Sequence, residues 1–160
     1  MTQNRPFFVS FPPPRSSLTG LFLLNKQHTM TNEEQIRYRV ESWTKAVHDR
    51  NWDGILAWHH KDIIMFDVPP PFQSTGIDAY RKTWEVFLPG LEKGAHSFRV
   101  IDLHIIAGED VAFAYSPMKC VYYDTTLQKV VELDFRLTIG FKKIDGEWWV
   151  MHEHHSIPAE

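Results

Sequence analysis

Hydrophobic and polar positions fall into helical order just after Met30 and into strand order beyond Gly90. Thr31 and Glu34 carry the T-x-x-E spacing of a capping box, and Ile36, Val40, Trp43 and Val47 then recur at helical intervals. That spacing predicts an amphipathic helix with one apolar stripe. After a break at Asp49 to Asp53, Ile55, Leu56 and Trp58 suggest a short second helix, and the run Ile63 to Val68 reads as a strand. Pro69-Pro70-Pro71 stops that strand, because proline gives no donor to a sheet ladder. Thr75 could cap a third helix, in which Ile77, Tyr80, Trp84 and Phe87 form a stripe ending at Pro89-Gly90. The remainder alternates with period two and predicts strands near 96–107, 110–123, 129–142 and 147–157, joined as one antiparallel meander.

Helices followed by strands specify an α+β fold, with three N-terminal helices on one face of a strongly bent, mainly antiparallel sheet. Bending such a sheet around helices leaves a conical cavity. Residues 1–29 follow neither period and are punctuated by proline. They read as a disordered tail, or as sequence upstream of a natural start at Met30, with 30–160 as the domain. No apolar run approaches bilayer length and no signal-peptide pattern precedes Met30, so no membrane span or secretory signal is expected. A net charge of −3 supplies no basic field for nucleic acid or a membrane surface. The single cysteine, Cys120, has no partner for an internal disulfide, which fits a cytoplasmic protein. Six Trp in a chain that is 14% aromatic provide rings to fill a core or wall a pocket.

Candidate chemistry concentrates in the C-terminal hairpin. Val131, Leu133, Phe135, Leu137, Ile139 and Phe141 fall on one face of a strand, and Glu132, Asp134, Arg136 and Thr138 on the other. The last strand divides into Trp148, Val150, His152, His154, Ser156 and the alternate set Trp149, Met151, Glu153, His155. Which faces coincide depends on the turn, since a slip of one residue inverts every side chain. A three-residue loop with a glycine bulge, the preferred reading, places Thr138 opposite His152 and Arg136 opposite His154. A two-residue Asp145-Gly146 turn would instead set Ile139 against His152 and dissolve the polar cluster. In the preferred register a histidine beside Arg136 stays neutral and can accept a proton, while Arg136 can hold a carboxylate or a developing oxyanion. The bland alternative is a solvated outer sheet face. Asp67, before the triple proline, is the best carboxylate base, or else a turn cap. His152-x-His154 has no third ligand implied by spacing, so no metal site is assigned.

Several segments together resemble the SnoaL-like branch of the nuclear transport factor 2 superfamily, which also holds ketosteroid isomerase and scytalone dehydratase. They are the Ile36 to Asp49 helix, Asp67-Val68-Pro69-Pro70, Gly76-Ile77-Asp78-Ala79-Tyr80, Gly108-Glu109-Asp110-Val111-Ala112, Arg136-Leu137-Thr138, and the stretch from Asp145 to His154. The likeness spans about residues 33 to 158. It implies a cone-shaped α+β barrel, usually a homodimer through the outer sheet face, whose pocket draws on the first strand, the third helix and the last strands. Carried over by position, it nominates Asp67, Trp84, Arg136, His152 and His154, with Trp43 and Tyr115 as walls beside Thr138.

The expected function is proton transfer next to a carbonyl of a small apolar or carbonyl-containing organic molecule, without a cofactor, as in an isomerase, cyclase or dehydratase. In it His154 or Asp67 removes the proton, His152 returns it and Arg136 stabilises the oxyanion. The competing expectation is a non-catalytic ligand-binding or dimeric assembly module.

Overall fold

The computed structural model describes residues 30–91 and 96–159. The tail expected over 1–29 lies outside the described residues. Helix α1 (Asn32–His48) starts where the capping box predicts: Thr31 Oγ accepts from the Glu34 N–H, and the Glu34 carboxylate accepts from the Thr31 N–H. Its stripe of Ile36, Val40, Trp43 and Val47 is fully buried. Helix α2 (Trp52–Leu56) begins earlier than the Ile55 to Trp58 run suggests, because Asn51 caps it through the Gly54 N–H. Gly54 is where α2 meets α1, and a Cβ there would stand 2.6 Å from the Ala46 Cβ.

Strand β1 (His59–Phe66) also starts before the predicted run and stops short of Asp67. Thr75 is not a helix cap, because β2 (Ser74–Thr75) pairs with Ile64 and Met65 of β1. Helix α3 (Ile77–Leu91) runs through Pro89, since Leu88 and Leu91 on either side of it are buried and hold the last turn against the core. The single strand expected over 96–107 is two, β3 (Ser97–Val100) and β4 (His104–Ala107). A bend separates them, and both pair with the long β5 (Val111–Asp124). Strands β6 (Lys129–Ile144) and β7 (Glu147–Ser156) complete the sheet.

The sheet order is β2-β1-β7-β6-β5-β3, with β4 attached to β5; β1 and β7 are parallel and the other pairs antiparallel. The sheet is curved and unclosed, with α1 against β3 and β4 and α3 against β1 and β5. Between them lies a core that includes Trp43, Tyr80, Met118, Leu137, Phe141 and Trp148. Among the described residues no helix is long and apolar enough to cross a membrane.

The β6–β7 hairpin corrects the preferred register. Asp145 (φ 52°) and Gly146 (φ 83°) form a two-residue turn that pairs Ile144 with Glu147. A bulge follows: Phe141 pairs with Val150 but Gly140 with His152, leaving Met151 without a partner. The extra residue inverts the inside and outside of everything after it. Trp148 and Val150 point into the core, and so do Glu153 and His155. Thr138 therefore lies opposite His154 rather than His152, and Arg136 opposite Ser156 rather than His154.

Candidate active site

Glu153 and His155, the polar inward residues of β7, meet His59 of β1 and Asp67 just beyond the end of that strand. Glu153 is wholly buried, and its Oε2 lies 3.1 Å from His59 Nε2 and accepts a 3.0 Å hydrogen bond from the Tyr80 hydroxyl. Tyr80 in turn accepts a 3.0 Å bond from the Trp43 indole N–H and stacks on His59 at 4.4 Å between ring centroids. On the other side, His155 Nε2 stands 2.9 Å from Glu153 Oε1, an ion-pair distance with an N–H that is not well aimed. His155 Nδ1 reaches Asp67 Oδ1 at 3.3 Å. Thus an acid–base chain, Asp67–His155–Glu153–His59, is braced by Tyr80 and Trp43.

Its electrostatics follow from burial against pairing. Burial alone pushes the Glu153 carboxyl up, but its close pairing with His155 and His59 outweighs it and holds the group at about 2. Burial pushes His155 down, and its pairing with Asp67 and Glu153 overcomes that and lifts it to about 9. Burial, then the negative charge of Glu153, raises the Tyr80 phenol well above its ordinary value, so it remains a donor. At neutral pH His155 is therefore an imidazolium against the ionised Glu153. An ionised Glu153 can only accept, which puts the His59 proton on Nε2.

Asp67 and His155 open onto a cavity of about 790 Å³. Its walls include Trp84, Phe87, Phe98, Tyr122 and Phe135, and the proline segment 68–71 and the turn at 124–126 complete it. Trp84, Phe87 and Phe98 meet edge to face with centroids 5.8 to 6.2 Å apart, a rigid apolar lining. Cys120 also lines it, and burial pushes its thiol up to about 12, so it stays protonated. The Val68 N–H and His155 both bond to Asp67 Oδ1. Among the described residues Oδ2 has no hydrogen bond, which leaves it for a guest.

Of the residues read from the sequence, Asp67 and Trp84 line this cavity. Trp43 is buried, does not line the cavity and donates its indole N–H to Tyr80. Arg136, Thr138, His154 and Tyr115 lie on the outer face, where each is exposed. His152 is also on that face, against Phe66 and bonded to the Ile64 carbonyl at 2.9 Å. The structure therefore does not bring Arg136, His152 and His154 together with Asp67. Sequence reasoning missed Glu153, His155, His59 and Tyr80. The Asp145-Gly146 pair was the one signal for the correct turn, whereas nothing in the residue type of Met151 announces a bulge.

Comparison with known proteins agrees with this architecture. The profile of the SnoaL-like domain matches residues 36–160. An NTF2-like protein of unknown function from Pseudomonas putida is 30% identical, over 80% of this chain and 87% of that one, with a TM-score of 0.66. A Shewanella frigidimarina protein provisionally described as a ketosteroid isomerase is 16% identical, over 74% of this chain and 92% of that one, at 0.63. The association domain of C. elegans CaMKII is 15% identical, over 76% and 92%, at 0.58. The last two show the fold alone. No curated protein sequence matches significantly.

Proposed function

This chain belongs to the SnoaL-like domain family, and we propose that within it the chain is an acid–base enzyme that moves a proton next to a carbonyl of a small organic guest. The observation that carries this reading is Asp67, whose Oδ1 is clamped by His155 and the Val68 N–H while Oδ2 remains for a substrate at an aromatic cavity. Asp67 Oδ2 takes the proton, the C–H electrons move to the carbonyl oxygen as an enolate, and the same carboxyl returns the proton to that carbon, or to the far end of a conjugated C=C where the guest carries one. No organic cofactor takes part in that sequence. His155 and Glu153 are positioning residues: both ring nitrogens of His155 are engaged, so it orients Asp67 rather than touching the guest. The apolar walls exclude water and strengthen the charge interactions inside.

The test is hydrogen–deuterium exchange, followed by NMR in D₂O, in a panel of cyclic ketones with acidic α-hydrogens. The Asp67→Asn variant should lose about 10²- to 10⁴-fold in exchange rate while its circular dichroism is unchanged. An unchanged rate would remove Asp67 from the chemistry.

A second reading, dimeric assembly, is favoured by one observation. Ile106, Val111, Phe113 and Tyr115 form an apolar row on the outer face of β4 and β5, each 43% to 61% exposed. In this reading two copies cover the row. Light scattering should then give a dimer mass for the native chain and a monomer for Phe113→Asp, and a monomeric native chain would discard it.

A further inference from the structure

A second, much smaller void meets the acid–base chain at His59 and shares no lining residue with the cavity. It measures about 10 Å³ and is lined by Arg39, Trp43, Trp58, His59, Ile139 and Val150, among others. Its polar edge is unusual. Arg39 Nε and Nη1 and His59 Nδ1 are all buried, and none has a hydrogen-bond partner among the described residues. Arg39 itself is fixed in place. Its Nη2 donates to Glu147 at 2.6 Å, and its guanidinium lies 3.7 Å over the Trp58 ring. With a proton on His59 Nε2, facing Glu153, the neutral ring presents Nδ1 as a bare acceptor. The two residues that carry these unpaired groups, Arg39 and His59, thus line one space the size of a single water.

We infer that this void is a structural water site in which Arg39 and His59 hold one internal water. The water accepts from Arg39 and donates to His59 Nδ1. Leaving three such groups unpaired costs far more than immobilising one water. The water locks His59 as the Nε2–H tautomer, so that this ring always donates to Glu153. A continuous line then runs from the surface residue Glu147 through Arg39, the water, His59, Glu153 and His155 to Asp67. Arg39 and His59 are positioning residues of this line. The inference goes beyond the catalytic reading and does not need it, because it concerns a void that shares no lining residue with the cavity.

The experiment is NMR of the full chain labelled with ¹⁵N-histidine, with water–protein NOE spectra. The native protein should show His59 with Nδ1 unprotonated and Nε2 protonated, and a long-lived water giving cross-peaks to Val40 or Trp58. Arg39→Met keeps the volume over Trp58 but removes the donors, so the water cross-peaks should vanish and His59 should become a mixture of tautomers. A native His59 protonated at Nδ1, or no long-lived water beside Val40 and Trp58, overturns the proposal. So do cross-peaks and a single tautomer that persist in Arg39→Met. Should that variant not fold, the native spectra decide alone. No outcome depends on turnover, so this site and the catalytic reading fail separately.

Discussion

Raising the pH from 6.5 toward 9 should destabilise this protein. His155 binds its proton more tightly in the folded state, at about 9 against an ordinary 6.5. Below pH 6.5 the ring is protonated whether the chain is folded or not, and the Asp67–His155–Glu153 pairing contributes fully. Above 6.5 the unfolded chain has released that proton while the folded one still holds it, so the contribution shrinks until pH passes about 9. At about 1.4 kcal/mol per pH unit, the loss is about 3 kcal/mol. His155 is only 7% exposed, so solvent screening removes little of it. Glu153 gives the opposite limb: held at about 2 against 4.5, it stabilises above pH 4.5 and loses that as pH falls through 2. Both limbs report one ion pair, so they are not summed. Urea unfolding followed by tryptophan fluorescence, in steps from pH 6 to pH 9, should trace the alkaline decline. A native protein equally stable at pH 6.5 and pH 9, or a His155→Gln variant with the same decline, would refute the reasoning.

Glu153→Leu should cost about 3 to 5 kcal/mol in urea unfolding, because His155 keeps its buried charge while losing one of its two carboxylates, and Tyr80 and His59 lose their acceptor. Gly54→Ala should cost about 1 to 3 kcal/mol, read as a lower melting temperature, because its Cβ would strike Ala46 where two helices meet. A neutral result would mean that α2 is free to shift.

Elements with local causes were legible in the sequence. The capping box starts α1, and the inward row Phe135, Leu137, Ile139 and Phe141 is the alternation of β6. The triple proline does mark the end of β1 and one wall of the cavity. The site was legible only where it sits on such markers, at Asp67 and Trp84. Glu153 and His155 look like residues of a solvated face because a buried pair of opposite charges has the same letters as an exposed one. Their inward direction comes from Met151, a residue whose side chain gives no hint of a bulge. His59 falls before the β-rich run, and its partner is nearly a hundred positions away in sequence, at a parallel pairing no local pattern specifies.

The unpaired Met151 separates the identity of the site from the identity of its residues. Strand β7 is a frameshift written in space: the letters stay the same, and one inserted position decides which of them are read toward the cavity. In the uninterrupted frame the interior would receive His152 and His154, and solvent would receive Glu153 and His155. For a strand built this way, a change of length by one residue redraws the interior more completely than any single substitution, and does so without touching an atom of the site.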